Sequence, residues 1–144
     1  MTRLTLHTAD DVRAFIENRR IDYPLSGPQL ATRAHCSRQT VYFLERQHSL
    51  PRTDTLDALF TALDVSYQYL PSDNVEPIAS SSQQLGERLR NLMNYFELSD
   101  VIFGWQLGIS DAAVRKRERE TSWRFESLYC IAMALNVPPI SVEY

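Results

Sequence analysis

Glycine, cysteine and lysine are all scarce in this chain of 144 residues, which contains four glycines, two cysteines and a single lysine, Lys116. Four glycines leave little room for a glycine-rich loop around phosphate, and neither a GxSxG motif nor a P-loop occurs. Two cysteines cannot build a disulfide framework. No CxxC or HxxxH spacing accompanies them, so we expect no catalytic residues, no metal and no cofactor, and an enzyme is the least favoured class. Cys36 is predicted as a small buried residue at a turn and Cys130 as a core residue.

Long apolar runs are also missing, since no stretch approaches the ~18–20 residues of a membrane span. The first seven residues lack the apolar core of a signal peptide. With 44% apolar and 23% charged residues the composition is that of a globular protein. We therefore expect a cytoplasmic protein with no membrane partner.

Strong positive charge is absent as well, because the net charge is −3. Nucleic-acid-binding domains are often basic, so this value argues against DNA as a partner, although binding depends on where the charge lies. Fourteen of the fifteen basic residues are arginine, whose planar fork fits phosphate and guanine edges. Composition alone leaves the question open.

An internal repeat is the clearest long-range pattern. Matching residues lie 73 positions apart at first, and 72 apart after the second copy loses one residue in a loop. Between the copies, residues 71–82 contain two prolines and a serine run, which predicts a linker. We therefore expect domains at residues 1–70 and 83–144. The identical pairs are Leu25/Leu98, Ser26/Ser99, Ser37/Ser110, Val41/Val114, Glu45/Glu118, Arg46/Arg119, Leu56/Leu128, Ala62/Ala134, Leu63/Leu135 and Val65/Val137.

Helical spacing of apolar residues predicts four or five short helices in each half and an all-α protein. Asp10 or Asp11 is expected to cap the first helix. Ser26 and Gln29 have capping-box spacing, and Ser37, Ser99 and Ser110 are predicted caps. No segment predicts a sheet except Thr2-Leu4-Leu6, whose alternation would suit a short edge arm.

Residues 28–47 meet the demands of a helix-turn-helix, in which a second helix enters the major groove. Ala31 supplies a small contact, His35-Cys36 the turn, and Ser37 the cap of the second helix. With Val41 and Leu44 turned inward, the outward face of helix 37–47 consists of Arg38, Gln39, Tyr42, Phe43 and Arg46.

The stretch Leu25–Gln47, with Thr55-Leu56 and Ala62–Val65, resembles the Cro/C1-type (XRE) helix-turn-helix domain. Through the repeat, the resemblance implies two tandem lambda-repressor-like domains of four to five short helices. It also implies that Gln29 contacts a phosphate and that Arg38, Gln39 and Phe43 reach base edges. His35 stands where this family usually has glycine, and a histidine tolerates positive φ better than most residues.

The second copy departs from that pattern. Ile102 replaces Gln29, and Asp111 replaces Arg38, while Arg117 stands where Leu44 would be buried. A basic run at Arg115, Lys116, Arg117 and Arg119 suits phosphate contact, or equally a solvated face interleaved with glutamates. A third interpretation is a dimerisation domain, whose expected exposed apolar residues are Phe103, Trp105, Trp123 and Tyr129.

We thus expect a sequence-specific DNA-binding regulator, a repressor, whose partner is double-stranded DNA. The alternative is an antitoxin or anti-activator that keeps the fold but masks a protein partner such as a toxin or an activator. A homodimer is compatible with either. The residues expected at DNA are Gln29, Ser37, Arg38, Gln39, Tyr42, Phe43, Arg46, Arg115, Lys116 and Arg119.

Overall fold

Eight α-helices and three short strands make up the described part of the chain, residues 1–46 and 49–144 of a computed structural model. A single turn of 3-10 helix, Ser82–Gln84, precedes the fifth helix. The elements in chain order are β1 (Arg3–Leu6), α1 (Ala9–Asp22), α2 (Gly27–Arg33), α3 (Arg38–Arg46), α4 (Thr53–Ala62), β2 (Ser66–Tyr69), α5 (Leu85–Tyr95), α6 (Asp100–Leu107), α7 (Asp111–Arg119), α8 (Phe125–Leu135) and β3 (Ile140–Glu143).

Side-chain caps fix where the first two helices begin. Thr8, and not Asp10 or Asp11, caps α1, and Asp11 completes a capping box by accepting from the Thr8 N–H at 3.1 Å. The N–H groups of His7 and Thr8 stabilise this carboxylate and lower the pKa of Asp11. The predicted capping box of α2 is confirmed, because Ser26 and Gln29 each accept from the other's backbone N–H.

Three serines begin later helices as predicted. The hydroxyls of Ser37, Ser99 and Ser110 each accept from the backbone N–H three residues on, at 3.1 to 3.2 Å. They satisfy donors that a helix start leaves without an intrahelical partner. The predicted helix 37–47 is α3, which is described to Arg46, and Gln47 and His48 lie outside the described residues.

A three-stranded antiparallel sheet shows that the all-α prediction is wrong in this respect. β3 lies in the centre, with Leu4 opposite Val142 on one side and Tyr67 opposite Val142 on the other. The edge arm predicted at residues 2–6 is confirmed as β1. β2 and β3 have four residues each, as β1 does, and their alternation of polar and apolar residues was missed because each directly follows a helical pattern.

The two halves repeat the same order of four helices followed by a strand. A further parallel involves Ala79, which forms an antiparallel bridge with Tyr69 of β2, much as Leu6 of β1 pairs with Ile140 of β3. Ala79 lies 73 residues after Leu6, the offset of the repeat. These pairings are those that an approximate two-fold axis between β2 and β3 would produce.

Residues 71–82, predicted as a linker, are packed against the body of the protein. Val75, Ala79 and Ser82 are buried. The buried apolar residues of both halves form one core. This segment is therefore not an extended spacer that would let the halves separate.

Arg88 of α5 holds that segment in place. Its side chain is 1% exposed, and its guanidinium donates to the backbone carbonyls of Leu70 (3.0 Å), Val75 (2.5 Å), Pro77 (3.1 Å) and Ser72 (3.2 Å). Burial lowers the pKa of Arg88, but arginine keeps its proton in proteins. One buried cation thus satisfies four carbonyls, three from the connecting segment of residues 71–82 and one from Leu70 just before it.

A second polar network joins α4 to both the connecting segment and the second half. The Tyr69 hydroxyl donates to Asp57 at 2.7 Å and to the Thr53 carbonyl at 3.0 Å. The Ser82 N–H donates to Asp57 at 2.8 Å, and the Trp123 N–H donates to the Thr53 hydroxyl at 2.9 Å. Burial raises the pKa of Asp57, while hydrogen bonds from Ser82 and Tyr69 oppose this.

The burial of several single residues differs from the sequence predictions. Phe103 and Trp123, expected on an exposed face, are buried at 0% and 1% exposure, whereas Trp105 is 77% exposed. Tyr129 is half-buried. Cys130, predicted in the core, is exposed, and Cys36 is half-buried. Apolar character did not distinguish the faces of α6 and α8, because both helices are rich in apolar residues.

Replacement of Arg88 by alanine should lower the free energy of unfolding by at least about 4 kcal/mol. Four carbonyls would lose their donor, and each buried acceptor left unpaired costs on the order of 1–3 kcal/mol. Urea denaturation followed by circular dichroism measures the change. Arg90 is an exposed residue two positions further along α5. The free energy of unfolding of Arg90→Ala should therefore stay within about 0.5 kcal/mol of that of the parent. Equal losses for both variants would contradict this role for Arg88.

Gly86→Ala should destabilise the fold by about 1–3 kcal/mol through overpacking between α5 and α7. A Cβ atom at Gly86 would lie 2.0 Å from the Glu118 carbonyl oxygen. Gly27→Ala is the matched control, because there the nearest atom, Val41 Cγ1, is 3.7 Å away. The same denaturation experiment compares the free energies of unfolding of the two variants. If Gly86→Ala is as stable as the parent, α5 and α7 can move apart at little cost in free energy.

Candidate nucleic-acid interface

The turn between α2 and α3 depends on a left-handed residue and a close backbone contact. His35 has φ of +57°, so it adopts the conformation for which glycine is otherwise preferred. The Cys36 N–H then donates to the Ala31 carbonyl at 3.0 Å, and Ala31 itself is 1% exposed. A small residue at this position lets α2 and α3 meet.

α3 has one buried and one exposed face, as predicted. Val41 and Leu44 are 1% and 2% exposed and anchor the helix to the core. The five residues of this helix that were predicted to contact DNA all lie on its exposed side. These are Arg38, Gln39, Tyr42, Phe43 and Arg46.

The aromatic pair on α3 is ordered by its neighbours. The rings of Tyr42 and Phe43 meet edge to face with centroids 5.8 Å apart, and they are 51% and 41% exposed. The guanidinium carbon of Arg46 lies 4.8 Å from the centre of the Tyr42 ring, within the range of a cation–π contact. The helix therefore presents two apolar rings beside a cation.

Gln29 and Ser37 have structural roles at the starts of the two helices. The Gln29 side-chain oxygen accepts from the Ser26 N–H at 2.8 Å, which leaves its amide nitrogen as a donor at the exposed start of α2. The Ser37 hydroxyl lies 2.9 Å from that of Thr40 while it caps α3. Both side chains lie on the exposed surface.

The second half repeats this turn with glycines. Gly108 has φ of +73°, and the Ile109 N–H donates to the Gly104 carbonyl at 2.9 Å. A Cβ atom at Gly104 would lie 2.7 Å from the Ile109 carbonyl oxygen, so α6 and α7 meet more closely there than a side chain allows. The backbone geometry of the turn thus recurs at an offset of 73.

The charges of α7 are only partly available to a ligand. Arg115 lies 3.0 Å from Asp111 and 3.8 Å from Asp100, and its hydrogen bond lowers the pKa of Asp111. Arg117, which occupies the place of the buried Leu44, is half-buried and pairs with Glu120. Within the described residues, Lys116 and Arg119 are exposed and have no ion pair.

Two arginines that the sequence analysis did not single out flank a groove between the halves. Arg52 and Arg124 precede α4 and α8, 72 residues apart, and they line a groove of about 790 Å³ together with Lys116. Arg52 donates to the Ser122 hydroxyl at 3.0 Å and to its carbonyl at 2.7 Å. Their common position in the repeat was the available signal.

No group of three or more histidine, cysteine or acidic residues in the described ranges could hold a metal ion. Among the same residues, no helix is long and apolar enough to cross a membrane.

Comparison with protein families gives a match over the segment that contains α2, the turn and α3. Residues 25–70 match the family model HTH_3, described as helix-turn-helix. No curated protein and no solved structure matches the chain. This family is one of DNA-binding regulators of the Cro/C1 type. The match and the capped turn between α2 and α3 together support a Cro/C1-type helix-turn-helix in residues 25–70.

Proposed function

We propose that this chain is a sequence-specific DNA-binding transcriptional regulator that acts as a repressor. One observation carries the proposal, namely that α3 follows a capped turn and exposes five groups that suit a major groove. The family match of residues 25–70 also supports it. Occupancy of an operator would then exclude polymerase.

Arg38 and Gln39 are the residues to which we assign base choice. An arginine fork can bond both acceptors of guanine, and a glutamine amide pairs with adenine. Tyr42 and Phe43 would contact thymine methyl groups through their exposed rings. Their position on one face of α3 lets all four enter the same groove.

Phosphate contacts would hold α3 in that groove. Gln29 offers its amide nitrogen at the start of α2, Ser37 lies at the start of α3, and Arg46 lies near the helix end. Contacts of this kind fix register and supply affinity but carry no sequence information.

The second half, residues 83–144, would act as a divergent helix-turn-helix domain that supports the first. Ile102 and Asp111 stand at the phosphate-binding and base-contacting positions, so base choice by α7 is not expected. Lys116 and Arg119 remain as unpaired cations, and Arg115 is already neutralised by Asp111. Its contribution to DNA binding is therefore electrostatic and small.

Arg38→Ala should weaken binding by about 1–3 kcal/mol and relax the choice of base at one position of the site. Polarisation titrations would use a duplex enriched from a random pool by the parent protein, together with duplexes substituted at each position. Arg3→Ala, an exposed cation of β1, is the matched control and should bind like the parent. Unchanged base choice would remove Arg38 from the interface, and absence of parent binding at low salt would contradict the DNA proposal itself.

Lys116→Ala should weaken binding to all duplexes alike and reduce the slope of log K against log salt by about one. Arg115→Ala should change the slope less, because Asp111 and Asp100 already compensate that charge. Titrations at several salt concentrations distinguish the two variants. If the slope for Lys116→Ala equals that of the parent, Lys116 lies on a solvated face of α7 and does not contact DNA.

A further inference from the structure

The second half carries a group of exposed apolar side chains that the fold does not use. α6 contributes Val101, Ile102 and Trp105, which are 45%, 44% and 77% exposed. Tyr95 and Phe96 at the end of α5 add two rings that meet edge to face, with centroids 5.1 Å apart. We call these five residues, together with Met133 of α8, the α6 surface.

The members of the α6 surface lie on adjoining elements. Val101 and Trp105 are four residues apart and Ile102 and Trp105 three, so they share one side of α6. Only residues 97–99 separate Phe96 from α6. On the other side, α6 packs against α8, where Leu107 and Ile109 share a groove with Cys130, Arg117 and Glu126. Met133 is the exposed apolar residue of α8 three positions after Cys130.

The first half provides an internal comparison for this surface. At four of the six positions of the α6 surface, the equivalent residue of the first half is polar. The four apolar residues that stand there in the second half are 44% to 77% exposed. Scattered single apolar residues on a surface are ordinary, but a cluster of this kind marks an interaction site. The pairs are Asp22 and Tyr95, Gln29 and Ile102, Thr32 and Trp105, and Thr61 and Met133.

We propose that the α6 surface binds the same surface of a second copy of this chain, so that the protein is a two-fold homodimer. Six large side chains at about half exposure present on the order of 600 Å² of apolar area. Two copies would remove roughly 1,200 Å² from solvent, which is the lower limit for a specific interface. In a two-fold dimer the same surface of each copy forms the interface, so that surface needs only to be complementary to itself.

Charge also favours a second copy over other occupants. Asp100 is the only ionisable side chain of α6, and it lies 3.8 Å from Arg115 of its own chain. Glu97, between Phe96 and α6, is the one further exposed charge in this stretch, so few like charges would face each other when two copies approach. The same lack of cations gives α6 nothing with which to hold DNA phosphates.

A dimer through α6 would also supply what a single chain lacks under the proposed function. Each chain has one helix, α3, with groups suited to base edges, so two chains would place two such helices on one operator. This last argument rests on the proposed function. The area and charge arguments do not.

Light scattering after gel filtration, with a reducing agent to exclude a disulfide through exposed Cys130, tests the proposal. At about 100 µM the parent should have twice the 16.6 kDa mass of one chain. Trp105→Thr, which installs the residue found at the equivalent position of the first half, should weaken association at least tenfold, so that the rise from monomer to dimer mass moves to at least ten times higher protein concentration. Met133→Thr should weaken it in the same direction.

Ile21→Thr is the matched control, because Ile21 is a 60% exposed apolar residue of α1 outside the α6 surface. It should keep the mass of the parent. A parent that remains monomeric at about 100 µM, or a Trp105→Thr variant that dimerises over the same concentration range as the parent, would overturn the proposal. Because mass is measured without DNA, either result leaves the DNA proposal to be judged by its own titrations.

Discussion

The pairing of β2 with β3 is the interaction on which the rest of the structure depends. β3 comes from the end of the chain, yet it lies between two strands of the first half. A lone pair of four-residue strands is marginal in water, so the sheet forms only when both halves are present. Arg88 and the Thr53–Asp57 network then fix the connecting segment against the same junction. The halves therefore form one body with a shared core.

This junction has a consequence for the proposed function. Because the halves share a sheet and a core, α3 and α7 are held at a fixed relation and cannot search for separate sites along DNA. The strand pairings recur at the offset of the repeat, so the two halves resemble each other in how their strands pair. α3 exposes polar and aromatic groups, whereas α6 exposes apolar ones where its counterpart α2 has Gln29 and Thr32.

Local signals in the sequence predicted much of the candidate interface. The serine caps at positions 37, 99 and 110 and the Ser26–Gln29 capping box follow from residue type and spacing alone. The same holds for the buried face of α3, because Val41 and Leu44 have helical spacing. His35 at the turn could also be anticipated, since its positive φ is less costly for histidine than for most residues. Arg52 and Arg124 share a position in the repeat, but the groove that they line forms only where the two halves meet.

The sequence by itself thus determined the helices, the four serine caps, the repeat and the exposed face of α3, because these depend on contacts within a few residues. The tertiary structure decided the sheet, the packing of residues 71–82 and which apolar residues of α6 and α8 are exposed. Each of these depends on partners distant along the chain: β3 needs β1 and β2, and Arg88 needs four carbonyls from residues 70–77. A pattern of apolar residues indicates that a helix has a buried face but cannot indicate which neighbour will cover it.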